Sequence, residues 1–223
     1  MLGYNAGKTG LYILVIFIGF AVATQLGGRI LDRRGARPAA VIGSALGAVG
    51  FFLWAGHLHQ SLGHQWPWII LAGAGIGFVL TPVTTDAVNR APRGSFGEVT
   101  GVTQTVRYFA ASLGLAVLGS VLINQTRSDA KASLAHLHVP DAVASKIVAS
   151  INTGAGTAPH HHAASAIYTA IQGDFAQATR VVYLAMAGIM AASFLISVRR
   201  MERGVPVEVA QALENEAASE PSI

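Results

Sequence analysis

Arg107 is the residue of this sequence whose type and setting most demand a chemical explanation. It lies nine residues beyond Glu98, roughly 13 Å along a helix. Directly after it, residues 109–123 are continuously apolar or small. A guanidinium at that depth is costly and normally faces a bundle interior or a watery cavity. Gln104, one turn earlier, and Tyr108, beside it, place two more polar groups on the adjoining surface. The plainer alternative is that Arg107 snorkels, laying its stem along apolar neighbours and its charge among lipid headgroups. Other candidates carry less chemistry. Gly73-Ala74-Gly75-Ile76-Gly77 has the look of a phosphate-cradling turn, but no Lys-Ser/Thr pair follows it and no strand precedes it. Helix packing accounts for it better. The absence of a Walker A pattern removes ATP bound to this chain as an energy source. His160, His161 and His162 are adjacent and cannot all converge on one ion, and neither Cys nor an acidic pair stands near them. They read as a solvated turn, and His57, His59 and His64 as interfacial polar residues. The acids nearest the apolar runs are Asp86, Glu98 and Asp174, in no Ser/His/Asp or paired-carboxylate arrangement. The residues therefore argue against an enzyme and imply no cofactor or metal.

The elements that hold these residues are apolar runs. Of 223 residues, 52% are hydrophobic and 12% charged, against roughly 25% charged in soluble domains. The formal charge is +4, but the basic residues cluster at the ends of apolar runs rather than along one face. That distribution sets membrane topology and gives no reason to expect nucleic acid. The absence of cysteine excludes a disulfide framework and thiol chemistry. A spanning helix needs about 20 mainly apolar residues. Residues 10–26, 39–56, 66–84, 97–124 and 180–198 supply five such stretches, and the fold class expected is an all-α polytopic bundle. Residues 1–124 hold four of the spans, 180–198 the last. Between them, 125–179 reads as an outer loop: two short amphipathic helices broken by Pro140, a Gly/Thr/Pro linker over 152–159, and a helical stretch over 163–178 that leads toward the last span. Residues 199–223 read as a cytoplasmic tail. Gly43 and Gly47, Gly73 and Gly77, and Gly97 and Gly101 form G-x-x-x-G pairs, which let backbones approach where lipid provides no hydrophobic drive for association.

Charge sets the orientation. The stretch 28–37, G-R-I-L-D-R-R-G-A-R, holds four of the fifteen Lys and Arg residues. Arg90 and Arg93 mark a second basic turn, and Arg199, Arg200 and Arg203 follow the last span, whereas 57–65 carries no Lys or Arg. Cytoplasmic loops collect such charges, so the N-terminus is expected outside and the C-terminus inside the cell membrane. Trp54, Trp66 and Trp68 flank the uncharged loop as an interfacial aromatic belt would. A signal peptide fits poorly, because one lysine precedes the first run and four arginines follow it. Within the charged stretch, Gly28 is expected to admit a close helix and Gly35 a tight reversal. Asp32 can accept hydrogen bonds or meet a helix N-terminus, with Arg33 and Arg37 as its neighbouring charges.

Gly28, Ile30, Asp32, Arg33, Gly35 and Arg37 follow a G-x-L-x-D-R-x-G-x-R pattern, which resembles the loop between the second and third helices in each half of a major facilitator transporter. A second stretch, starting at Gly75 and carrying Pro82, Pro92, Gly97, Gly101, Arg107 and Gly114, resembles the fourth and fifth helices of the C-terminal half in the fourteen-helix drug:proton antiporter branch. The resemblance implies a partial C-terminal half, helices two to six, in the cell (inner) membrane. It also implies a hydrophobic or cationic drug-like substrate, protons as the coupling ion, and a missing N-terminal transporter half as partner, without which the chain is not expected to transport. The motif residues would then latch one state of the carrier, and Gly73, Gly77, Pro82, Gly97, Gly101 and Gly114 would serve helix packing. The alternative is a non-transporting membrane scaffold or regulatory subunit.

Overall fold

A computed structural model describes residues 6–58, 60, 62–92, 94–136, 139–140, 165–201 and 204. Among them are five helices and no strand: α1 (Ala6–Arg34), α2 (Ala36–Gly56), α3 (Leu62–Asn89), α4 (Phe96–His136) and α5 (Ser165–Arg200). Each is long and apolar enough to cross a membrane. They form an all-α polytopic membrane helix bundle, as the apolar runs predict. The bundle has an arginine-rich end, where α1, α3 and α5 finish, and a tryptophan-bearing end, where α2 finishes and α3 begins.

Helix ends differ from the hydropathy boundaries. α1 does not stop at residue 26 but continues through Arg34, because Arg and Leu are good helix formers and polar residues end an apolar run without ending a helix that has already started. The reversal into α2 is the single residue Gly35, whose φ of 79° lies in the region glycine occupies without a side-chain clash. Its N–H closes the last turn of α1 on Leu31 O at 2.9 Å. Arg37 and Pro38 thus sit in the first turn of α2, where a proline's missing N–H costs nothing.

The region after residue 124 also departs from expectation. α4 runs unbroken to His136, 41 residues in all, or roughly 60 Å, twice the hydrocarbon thickness. In place of a separate amphipathic helix, its last third packs on α5 through buried Thr126, Ala130 and Leu134 against buried Ala178. Ser133 Oγ donates to Asp174 Oδ1 at 2.9 Å across that contact. α5 starts at Ser165 and absorbs the helical stretch expected before the last span. The segment around the second expected amphipathic helix, the Gly/Thr/Pro linker and His160–His162 lies outside the described residues, as does nearly all of the tail.

Small residues bring the first three helices together. α3 is the centre, packed against α1 on one side and α2 on the other, while α2 also meets α5. A Cβ added at Gly73 would land on Ile16 O, and one at Gly77 would lie 2.5 Å from Phe20 O, both on the α1 backbone. On the opposite face, a Cβ at Gly75 would land on the backbone of Gly47, while one at Gly50 would meet Ala72 N at 2.5 Å. Pro82, fully buried in α3, presses its ring toward Gly27 of α1, where an added Cβ would meet Pro82 Cγ at 2.9 Å. At the tryptophan end, Trp54 lies 4.4 Å from Tyr183 of α5 between ring centroids, and its Nε1 donates to Gln65 Oε1 at 3.2 Å.

α4 stands apart. It touches α5 and only lightly α3, and none of its most apolar stretch is buried. Around Gly97, Gly101 and Gly114 nothing lies within 4 Å of where a Cβ would be. The packing role expected of these three glycines is not met by any helix among the described residues, since no neighbour comes within contact of them.

The two glycine environments predict opposite mutational outcomes. Gly75→Ala should lower stability by about 1–3 kcal/mol, since the added methyl displaces backbone rather than a flexible side chain. Gly101→Ala should be neutral or slightly stabilising, because open space leaves only the gain in helix propensity. Unfolding of the purified chain in detergent micelles, followed by circular dichroism, measures both.

Candidate functional site

The charged stretch is mostly helix. Asp32, Arg33 and Arg34 are exposed on the last turn of α1, and Asp32 has no hydrogen-bond or ion-pair partner among the described residues. Neither the backbone nor the neighbouring arginines engage it. Gly28 faces open space rather than a close helix, and the close approach expected of it falls one residue earlier, at Gly27. The α1 face that meets Phe78 and Pro82 of α3 runs through Ala23 and Gly27, and the 100° step to Gly28 turns that residue away.

Arg37 is the member of the stretch with a distant partner. Its Nη2 donates to Val198 O at 2.5 Å. Val198 lies in the last turn of α5, where carbonyls lack intrahelical donors and the helix dipole is negative. A guanidinium there both satisfies an orphan acceptor and opposes the dipole. A second arginine acts beside it. Arg90 Nε donates to Asp86 Oδ2 at 2.8 Å, and Arg90 Nη2 reaches Gly204 O at 3.4 Å. Asp86 is buried to 7% exposure, and its Oδ1 has no hydrogen-bond partner among the described residues. Arg37 from the start of α2 and Arg90 from just beyond α3 therefore hold the end of α5 and the chain just after it. Sequence reading missed this clamp. The Asp86–Arg90 spacing of i, i+4 is a visible helical pair, but nothing local marks Val198 O as the acceptor for Arg37.

Gln104 and Arg107 come together in a cleft between α3 and α4, near the same end of the bundle. Thr84, Thr85 and Asn89 of α3 face Thr100, Thr103, Gln104 and Arg107 of α4 around a volume of about 290 Å³, and Val88 supplies an apolar wall. Positions 100, 103, 104 and 107 share one face of α4, and 84, 85, 88 and 89 one face of α3. Tyr108 is not part of this group: it is two-thirds exposed on another face of α4 and does not line the cleft. The threonines went unnoticed in the sequence because each is unremarkable alone, although the i, i+3, i+4, i+7 polar stripe that they complete was readable. Among the described residues no group of His, Cys, Asp or Glu is placed to hold a metal.

This bundle of apolar helices joined by a glycine reversal, with an arginine clamp at one end, has its counterpart in a known transporter family. The chain belongs to the Major Facilitator Superfamily, whose model matches residues 1–115. It is 30% identical over 212 residues to Multidrug resistance protein Stp of Mycobacterium tuberculosis (strain ATCC 25618 / H37Rv), covering 91% of this chain and 39% of that protein. Over 152 residues it is 29% identical to the uncharacterized MFS-type transporter YcnB of Bacillus subtilis (strain 168), covering 66% of this chain and 31% of that one. The chain thus spans well under half the length of these curated relatives. It is a multi-pass membrane protein of a transporter family.

The clamp predicts a local effect. Arg37→Ala removes a charge-assisted donor from the last turn of α5; for a half-exposed group that amounts to about 1 kcal/mol, or roughly fivefold in local opening. Amide hydrogen exchange over 196–200 should quicken by about that factor, less in Arg37→Lys, and not at all in Arg34→Ala, whose side chain is exposed and bonded to nothing described.

Proposed function

We propose that this chain forms the C-terminal portion of a proton-coupled multidrug efflux carrier of the fourteen-helix antiporter branch. On this reading it transports only together with an N-terminal half. The observation that carries the reading is α4. Its membrane-crossing part presents Val102, Val106, Phe109 and Leu113 as an exposed apolar face, and its glycines lie open to close approach among the described residues. In lipid, such small residues are the means by which helices associate, and alternating access needs two halves around a central site. The identity to a relative named for multidrug resistance, covering 39% of that protein, supports the same reading. Asp32, exposed and unpartnered at the end of α1, is then available to the other half as an acceptor.

The decisive experiment co-expresses the 223-residue chain with a segment supplying the remaining helices of a carrier such as the mycobacterial relative. Cells with both parts should extrude a lipophilic cation such as ethidium, and collapsing the proton gradient should stop them. Cells with this chain alone should not extrude it. Full efflux by the chain alone, or efflux that persists after the gradient collapses, contradicts the reading.

Orientation is tested separately. The arginine-rich end is placed in the cytoplasm by the positive-inside rule. Gln60 and Arg34 are both exposed, so cysteines there report cleanly. An impermeant maleimide should label Gln60→Cys in intact cells and Arg34→Cys only after lysis. The reverse pattern inverts the topology.

A further inference from the structure

The cleft between α3 and α4 has a composition that selects its ligand. Among the described residues Arg107 is its sole charged lining residue; Asp86 turns its carboxylate to Arg90, and Glu98 is exposed outside the cleft. Thr85, Thr100 and Thr103, with their hydroxyls, and Gln104, with its amide, line the same cleft, and none of these side chains is bonded to any described residue. Thr84 differs, its hydroxyl proton being spent on its own helix at Leu80 O, 2.8 Å away. Arg107 itself has no hydrogen bond or ion pair among the described residues. A guanidinium with five donors that shares a cleft with hydroxyl and amide donors and, among the described residues, with no acid suits a planar or tetrahedral oxyanion. Were the charge only snorkelling, its stem would lie on apolar residues and its cleft would need no such polar lining.

The level of the cleft narrows the choice. Its α3 wall is the last turn and a half of that helix, ending at Asn89, and Arg90, Arg199 and Arg200 cluster at the same end. Arginines at a helix end mark the headgroup region, where phosphate is abundant.

We propose that this cleft binds a phosphate group, held by Arg107 with Thr85, Thr100, Thr103 and Gln104 around it. The group belongs either to an anionic phospholipid of the adjacent leaflet or to a soluble phosphate ester. The site is complete within this chain and needs no transport activity, so it stands or falls independently of the carrier reading.

The test uses the full 223-residue chain in nanodiscs of equal phosphatidylglycerol and phosphatidylcholine, released into native mass spectrometry. The unaltered chain should retain phosphatidylglycerol about tenfold over phosphatidylcholine, the scale of a charge-assisted, multiply bonded contact. Arg107→Gln should abolish the preference, Arg107→Lys should keep part of it, and Arg200→Gln, which removes an arginine outside the cleft, should leave it intact. Because Arg107 is exposed and bonded to nothing described, these variants should melt with the parent, which separates lost binding from lost folding. Glycerol 3-phosphate is then added at rising concentration. If it displaces the lipid, or binds the chain in neutral phosphatidylcholine discs in an Arg107-dependent way, the source is a soluble ester. If it does neither, the source is the headgroup. Equal phosphatidylglycerol retention by the parent and Arg107→Gln, with no Arg107-dependent binding of the ester, overturns the proposal.

Discussion

Close backbone contact between α3 and its two neighbours is the constraint on which the structure depends. Water drives no association between helices within a bilayer, so packing must come from surfaces that fit. α3 achieves this with glycines on two faces: Gly73 and Gly77 seat α1, and Gly75 seats α2 at Gly47. Because a bare backbone meets another backbone at each point, even one methyl group has nowhere to go. The three helices behave as one block, and Arg37, Asp86 and Arg90 at the arginine-rich end take their places from that block.

The block explains why a reversal of one residue suffices between α1 and α2. Both helices are already held against α3, so Gly35 has only to turn the chain, at a φ that other residues adopt with strain. With α2 fixed, Arg37 is carried to the end of α5, and with α3 fixed, Asp86 and Arg90 are carried beside it. The clamp is thus a consequence of packing elsewhere. α4 is the exception to the block. It is anchored on α5 through its far third and opens a polar cleft toward α3 at its near end.

Much of this was legible in the sequence, for identifiable reasons. Five spans follow from hydropathy, and the family from the spacing of Gly28, Asp32, Gly35 and Arg37. Helix ends were less legible, because polar residues such as Gln125 and Asp129 end a hydropathic run without ending a helix, and here they bond each other across one turn. The glycine pairs show a deeper difficulty. Gly73/Gly77 and Gly97/Gly101 have the same spacing, yet the first pair touches α1 and the second touches nothing among the described residues. A small-residue motif records that a helix can be approached, and only the fold determines whether it is. Arg37 illustrates the same limit, since its acceptor is a main-chain carbonyl 161 positions away, and no side chain marks it.

The central claim is that the membrane face of α4 is left open by this chain for a second transporter half. It is tested most directly at Phe109, 69% exposed on that face. A nitroxide at Phe109→Cys in liposomes reports lipid contact through its relaxation by dissolved oxygen. The account predicts high oxygen accessibility in the chain alone and a marked fall once the complementary helices are co-reconstituted, with a label at exposed Phe52 of α2 unchanged in both. Low accessibility at Phe109 in the chain alone, or accessibility that does not change when the complementary helices are present, would contradict it.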